Sequence, residues 1–368
     1  MKIDATLNPL PALTWNWLRM NKASYAEELG YKRSDAKVAI SKLPKGAAFT
    51  QDGEKEILSL PQIPTALGEN FSSLLAENAA IPAVLEIPEG CKCSEPIIIR
   101  AELKDGTASL RSLVIKAGKG SEASVIIEWT SAKDAAGLHA LQTKIYADKD
   151  SNISVATVQL LGKGFVHFND IATNGAENSR VRVTQLELGA QKNFVGAFST
   201  LNEFGARFNH DAAYFMDGGR EIDMNFAALQ SGKNTQSDMN VYGTLKDSAK
   251  KTYRGTIDFK KGCSGSIGDE QEETLLLSPD VVNKSIPLIL CDEEDVQGEH
   301  GATIGRLDEN VLFYMNARGI NLQEAQKMMA RAKIARVAAF LGTDEAAQKE
   351  AQKALDFFDE QSQGGSQK

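Results

Sequence analysis

The sequence predicts a mainly β protein with helical regions at both ends, and three observations carry that prediction. From about Ile81 to Phe259 the chain is a series of short runs rich in β-formers, among them Pro96–Leu103, Ala123–Trp129, Asn152–Leu161 and Thr252–Phe259. Turn signals separate them, as in Ala117-Gly118-Lys119-Gly120, Gly162-Lys163-Gly164 and Asp217-Gly218-Gly219. Between the runs there is no helical crossover of the roughly 12 residues that a doubly wound parallel sheet requires. A sandwich, a barrel or a solenoid remain. Ile222, Met224 and Phe226 alternate with Glu221, Asp223 and Asn225, as in a strand with one buried face. No repeat of fixed period is visible, so alternation alone does not choose among the three.

On either side of the β runs the texture changes. Residues 1–78 read as a mostly helical region. Leu13, Trp17 and Met20 fall at helical spacing behind Pro9 and Pro11, Tyr25–Leu29 suits a second short helix, and Leu67, Phe71, Leu74 and Leu75 suit a third. Residues 79–303 form the β core and residues 304–361 a helical carboxy-terminal region. There Asp308 is an N-cap for a helix that stops at Gly319, and Asn321 with Glu324 is a capping pair for the next. The second helix carries Ala325, Met328, Ala332, Ala335 and Phe340 along an apolar stripe, and Thr343 caps a third helix. Residues 362–368 read as a disordered tail.

Composition limits the function classes. Forty-one Lys and Arg against 49 Asp and Glu in 368 residues give a net charge of −8, which disfavours nucleic acid or an anionic membrane as the main partner. Apolar residues at 42% and charged residues at 24% suffice for a large core. Four cysteines, Cys91, Cys93, Cys263 and Cys291, are too few for a disulfide-built scaffold and point to a reducing cytosol. No stretch approaches the roughly 20 apolar residues of a membrane span, and Met1–Leu18 lacks the pattern of a secretory leader. The expectation is a soluble, unprocessed, cytoplasmic protein.

The phosphate-binding loop of ATPases is excluded. Gly118-Lys119 is followed by Gly120, Gly162-Lys163 by Gly164 and Gly232-Lys233 by Asn234, where a Ser or Thr is needed to hold magnesium. Gly262, Gly265 and Gly268 lack the paired Gly-x-Gly of a dinucleotide loop and read as a turn. Cys91-Lys92-Cys93 places two thiols on one side of an extended chain, but no second pair completes a ligand set, so they read as ordinary cysteines. Cys263 and Cys291 read as half-buried structural residues. His139, His167 and His210 lie in β segments and read as satisfied core histidines. His300 differs, because Asp292, Glu293, Glu294, Asp295 and Glu299 crowd the sequence around it. Taken alone the segment is a solvated acidic loop with one imidazole, or the start of a metal site.

The stretch Asp295-Val296-Gln297-Gly298-Glu299-His300-Gly301-Ala302-Thr303-Ile304-Gly305-Arg306-Leu307-Asp308 resembles the carboxy-terminal signature of the SufB/SufD family, scaffold components of the Suf iron–sulfur cluster assembly machine. Leu312-Phe313-Tyr314, Ala317-Arg318-Gly319-Ile320, Thr274-Leu275-Leu276-Leu277-Ser278 and Pro287-Leu288 extend the likeness over about residues 250–340. The resemblance implies a right-handed parallel β-helix core flanked by amino-terminal and carboxy-terminal helical regions. It implies a non-catalytic subunit, most like SufD, that binds a SufC-type ABC ATPase and a SufB-like scaffold partner. A SufB-like homodimer is the alternative, and a β-helix enzyme acting on polysaccharide a more remote one. The ATPase dock would include Leu312, Phe313, Tyr314, Arg318, Gly319, Met328 and Arg331, with Arg331 expected to be exposed. His300 occupies the motif histidine that contacts iron or the nascent cluster, with Glu299 beside it. No permanently bound cofactor is implied, only a transient iron–sulfur cluster at the complex interface. One departure stands out: many SufD-like chains have cysteine two residues before that histidine, and here the position is Gly298.

Overall fold

Alternating strands that bury one face need a second sheet to bury it against, and this chain supplies one from its own next turn. The computed structural model describes residues 2–34, 37–51, 53, 60–78 and 80–363. Sixteen strands wind as a parallel β-solenoid of about eight turns. One sheet stacks β6 (Ile81–Ile87), β8 (Thr107–Ala117), β10 (Ala136–Ala147), β12 (Gly164–Gly175), β14 (Lys192–Leu201), β16 (Glu221–Gln230), β18 (Lys250–Phe259) and β20 (Val282–Cys291). The facing sheet stacks β7 (Ile97–Leu103), β9 (Glu122–Ser131), β11 (Asn152–Leu160), β13 (Arg180–Glu187), β15 (Arg207–Met216), β17 (Gln236–Leu245), β19 (Ser266–Leu276) and β21 (Val296–Gly305). The main core lies between the sheets, from Leu85 and Ile97 in the first turn to Tyr253, Ile257 and Phe259 near the last.

The absence of a fixed sequence period has a structural cause. Along the first sheet Val166 pairs Lys192, Lys192 pairs Glu221, Glu221 pairs Lys250 and Lys250 pairs Val282, so successive turns take 26, 29, 29 and 32 residues. What repeats is a corner. Gly120, Asp150, Asn178, Gly205, Asn234 and Gly265 all have φ between 54° and 75°. From Gly120 to Gly265 the backbone N–H of each donates to the carbonyl of a residue in the next turn, as in Asp150 to Glu177 and Asn178 to Phe204. Only Gly, Asn and Asp adopt this left-handed backbone cheaply, which is why the turn signals of the sequence are made of them.

The outer faces of both sheets are covered. On the first sheet lie β1 (Lys2–Leu7), antiparallel to β2 (Ala23–Glu28), and α1 (Glu69–Glu77); Tyr25 and Phe71 close on Phe168 at ring centroid distances of 5.6 Å. On the second sheet lie α3 (Leu322–Ala338) and α4 (Glu345–Gln363), with Ile334, Val337 and Phe358 buried against Val158, Leu186, Phe215 and Tyr242. Between the solenoid and these two comes α2 (Glu309–Ala317). Asp308 Oδ1 accepts from the N–H groups of Asn310 and Val311 at 2.9 and 3.1 Å, and Asn321 with Glu324 forms the expected capping box.

The amino-terminal region departs from the helical expectation. Among the described residues of 1–78, β3 (Lys32–Arg33), β4 (Ala39–Ile40) and β5 (Ala48–Gln51) join β1 and β2, and α1 is the one α-helix. Tyr25–Leu29 falls in and just beyond a strand, because its backbone pairs antiparallel with β1, while Tyr25 and Leu29 supply its buried side chains. The segment around Leu13 and Trp17 holds only a single 3-10 turn, Asn16–Leu18, ended by Arg19 in the left-handed region. In the tail, Ser362 and Gln363 continue α4, and residues 364–368 lie outside the described residues.

The corner column is open to test. A Cβ added at Gly205 (φ 69°) would fall 2.5 Å from Asn178 Oδ1 of the turn below. Gly205→Ala is expected to cost about 1–2 kcal/mol, read as a lower urea midpoint with an unchanged slope; an unchanged midpoint would show that the corners carry no strain.

Candidate functional site

Two neighbouring regions bring the sequence-predicted residues together, the bare last turn of the solenoid and the helix pair that follows it. His300 lies on β21, not in a loop, and in register with Glu270 of β19. The strand alternates, so Val296, Gly298, His300, Ala302 and Ile304 continue the interior face of Ser266, Gly268, Glu270, Glu272 and Thr274. His300 is nonetheless exposed, because no further turn covers it among the described residues. Glu299 pairs Asp269 and points to the opposite face, so the expected His300–Glu299 pair is not formed.

Beneath this open turn is a buried ionisable cluster that local sequence reading missed. Burial pushes the Glu270 carboxyl up to about 7 and the Lys251 ammonium down to about 8, the latter against the pull of Glu272. Lys251 donates to Glu272 and, at 2.8 Å, to Ser285 Oγ, while Thr274 Oγ1 donates to Glu272 at 2.9 Å. The signal was the phase of β18: Lys251 shares the interior face of Tyr253, Ile257 and Phe259.

Cys291 ends β20 in register with Phe259, on the same interior phase. It is exposed, contrary to the half-buried expectation, whereas Cys263 is buried and Cys91 and Cys93 are half-buried with their sulfurs 3.9 Å apart. A Cβ at Gly298 would lie 3.0 Å from Phe259 Cε2 and 3.3 Å from Ile289 Cγ2, so side chains of the last two turns press on the place where a cysteine would stand. Among the described residues no group of three or more His, Cys, Asp or Glu could hold a metal ion. His300 therefore offers one nitrogen donor at an open edge, not a complete ligand set.

The helix pair presents the remaining predicted residues. On α2 only Met315 is buried, and Phe313 is 77% exposed beside exposed Val311 and Tyr314, with Arg318 stacked over the Tyr314 ring at 4.9 Å. Leu312 is half-buried, and Gly319 turns the chain at φ 84°. The buried stripe of α3 is Ala325, Ala330, Ile334, Val337 and Ala338, so of the expected stripe Met328, Ala332 and Phe340 face outward. Arg331 is not free: its Nε donates to Asp359 Oδ2 of α4 at 3.0 Å. Its charge reversal would break this contact, which makes it a poor probe of an interface.

The three other histidines are interior, as expected, but not fully satisfied: His139 Nε2, His167 Nε2 and His210 Nδ1 make no hydrogen bond among the described residues. His139 and His167 stack at 5.1 Å with their Nδ1 atoms 3.0 Å apart, and His210 Nε2 meets Gln185 Oε1 at 2.8 Å. Burial drives His167 and His210 down to about 3 and pushes Glu187, 3.4 Å from His167 Nε2, up to about 7.

The site thus consists of an exposed histidine on the last turn of a parallel β-solenoid and an exposed apolar helix beyond it. The chain belongs to the family described as SUF system FeS cluster assembly, SufBD core domain, whose model matches residues 99–333. It is 24% identical over 254 residues to the iron–sulfur cluster assembly protein SufD of Bacillus subtilis, covering 67% of this chain and 57% of that protein. It is 22% identical to a SufBD family protein of Staphylococcus saprophyticus, over 87% of this chain and 70% of that one. To a SufBD family protein of Synechocystis it is 25% identical, over 73% of this chain and 58% of the relative. The chain thus spans little more than half the length of two of these relatives. Among the described residues no helix is long and apolar enough to cross a membrane.

The interior acids set a pH dependence with a definite sign. Glu187 binds its proton more tightly folded, at about 7, than its ordinary 4.5, so its stabilising contribution is present below 4.5 and is lost as pH rises through 7. Glu187→Gln keeps the shape and removes the charge. The variant is expected to gain stability over the parent at pH 8, by on the order of 3 kcal/mol, and to lose that advantage below pH 4.5, as urea titrations at the two pH values would read.

Proposed function

We propose that this chain is a non-catalytic scaffold subunit of a Suf complex, most like SufD, acting in the cytosol. In this reading it binds a SufC-type ABC ATPase through α2 and α3 and a SufB-like partner through the end of the solenoid. A nascent iron–sulfur cluster is the cargo, held at the junction with no cofactor resident in the chain. The observation that carries the reading is the open last turn. It joins His300 and two strand edges left unpaired among the described residues in a family of cluster-assembly proteins, and its donor set needs ligands from a second molecule. The exposed apolar surface of Val311, Phe313, Tyr314, Leu322 and Met328 supports the ATPase dock, since such patches mark partner sites. The polysaccharide-enzyme alternative loses support, because Glu187, Glu270 and Glu272 are buried inside the solenoid instead of lining a groove.

Native mass spectrometry of the tagged chain, isolated without oxygen from its own host, tests this. Recovery with an ABC ATPase and a larger homologous subunit is expected. Recovery with the ATPase alone would favour a homodimeric scaffold, and recovery with neither would sink the proposal. Phe313→Asp should lower ATPase recovery about tenfold or more while leaving the urea midpoint unchanged, because the ring is in water. His300→Ala should leave the assembly intact and reduce maturation of Suf-dependent enzymes in cells. Full maturation with this variant would remove His300 from the mechanism.

A further inference from the structure

The loop of residues 11–19 holds three large apolar side chains in water: Leu13, Trp15 and Trp17 are 82%, 74% and 75% exposed. Two of the chain's three tryptophans are spent there; the third, Trp129, is in the core. The loop is held in place. Asn21 Oδ1 accepts from Thr14 N and Oγ1, both at 2.7 Å, and its Nδ2 donates to Thr14 O and Asn16 Oδ1, both at 3.0 Å. Its stems are closed by Leu10 N donating to Asn21 O at 2.9 Å.

The loop is also anchored to the solenoid by buried charge. Arg254 of β18 donates through Nε to Met20 O at 2.6 Å and through Nη1 to Asp223 Oδ1 at 2.6 Å. The buried Asn8 amide donates to the same carboxylate at 2.6 Å. These bonds bring Leu10 and Met20 down on Ile286 of β20, the last strand of the first sheet, with Leu18 and Leu288 beside them. An exposed apolar loop gains nothing from this network unless something covers its tip. A tip ordered in advance keeps the entropic cost of binding low, and tryptophan is among the strongest interface anchors.

The position of the loop selects the occupant. It rises from the outer face of the edge strand β20, and Ile289 and Ile304, on the interior faces of β20 and β21, leave the rim of the core partly exposed at the same end. A chain that covers this rim passes beside the loop. We propose that residues 11–19 form a clasp that grips a second β-solenoid scaffold subunit seated on β20 and β21, with Leu13, Trp15 and Trp17 closing over its flank. This rests on the scaffold-partner reading above.

The test uses the full-length tagged chain in its own host and compares two double variants. Trp15→Ser/Trp17→Ser removes the clasp, and Ile289→Asp/Ile304→Asp charges the rim. Both are expected to lower recovery of the scaffold partner about tenfold or more and to retain the ATPase. The urea midpoint of the tryptophan variant should match the parent, which separates lost binding from lost folding. If the rim variant loses the partner and the tryptophan variant keeps it, the clasp is wrong and the scaffold reading stands. If neither loses it, the partner does not bind at this end and both fall. If the tryptophan variant keeps the partner but no longer binds phosphatidylglycerol vesicles that the parent binds, the loop is a membrane contact and the clasp is overturned.

Discussion

A stack of parallel strands satisfies the backbone of every turn except the first and the last, and the layout of this protein follows from how those two ends are treated. At the first turn β4 and β5 pair antiparallel with β7 and β6 and close the ladder. At the last turn no strand among the described residues follows β20 and β21. Long free edges invite uncontrolled pairing, and natural sheets blunt them. One such device is present: Pro287 stands in the middle of β20 and has no N–H to offer. The other edge, β21, is rich in glycine and polar residues and bears the exposed His300. The last turn is therefore partly blunted on β20 and carries a ligand-capable side chain on β21.

The interior is unusual for the number of polar groups it buries. A narrow solenoid brings the inward side chains of two sheets together, and at several turns these are His, Gln, Asn, Glu and Lys instead of aliphatics. Gln159 donates to Asn193 at 2.9 Å, and Asn169 donates to Thr157 and Glu187, both at 2.9 Å. The Asn169–Glu187 bond ties the two sheets within one turn, and the Gln159–Asn193 and Asn169–Thr157 bonds tie strands of different turns. A buried polar group costs little while it is paired and much when it is not, so these networks penalise any slip in register. They do in the interior what glycine, asparagine and aspartate do at the corners.

Local pattern made the aliphatic strands legible and hid the polar ones. Glu221–Leu229 and Asn152–Leu161 were readable because Ile222, Met224 and Phe226, or Ile153 and Val155, mark a buried face. Gly164–Gly175 and Gln236–Leu245 were not, because their interior positions include His167, Asn169 and Ser237, which imitate an exposed strand. The capped helices after Asp308 and Asn321 were legible because caps act over three or four residues. His300 was found through its motif, but its separation from Glu299 required knowing that the segment is a strand. The covering of the outer faces also misled: Asn225 reads as exposed by alternation and is buried under the amino-terminal strap, donating to Ala66 O at 2.9 Å.

That strap shows why the amino-terminal region resisted reading. Its course is decided by Asn8, Asp223 and Arg254, residues more than 200 positions apart from one end to the other, with Arg254 and Asn8 sharing one carboxylate. No helical spacing near Leu13 and Trp17 competes with that. A buried Arg–Asp pair left without one partner is strongly destabilising, so the network holds the strap to the sheet once the solenoid has formed. The solenoid therefore folds first in logic: only when β16 and β18 lie side by side do Asp223 and Arg254 meet, and only then can Met20 find its donor. The carboxy-terminal helices depend on the same completed surface from the other side, through Lys353 on Glu128 at 2.9 Å and Phe358 on Phe215 at 4.9 Å. Contacts that exist only in the finished stack thus bring the amino-terminal strap to the last turns and lay the carboxy-terminal helices back over the earlier turns of the second sheet, while α2 stays by the last turn because it follows β21 directly in the chain.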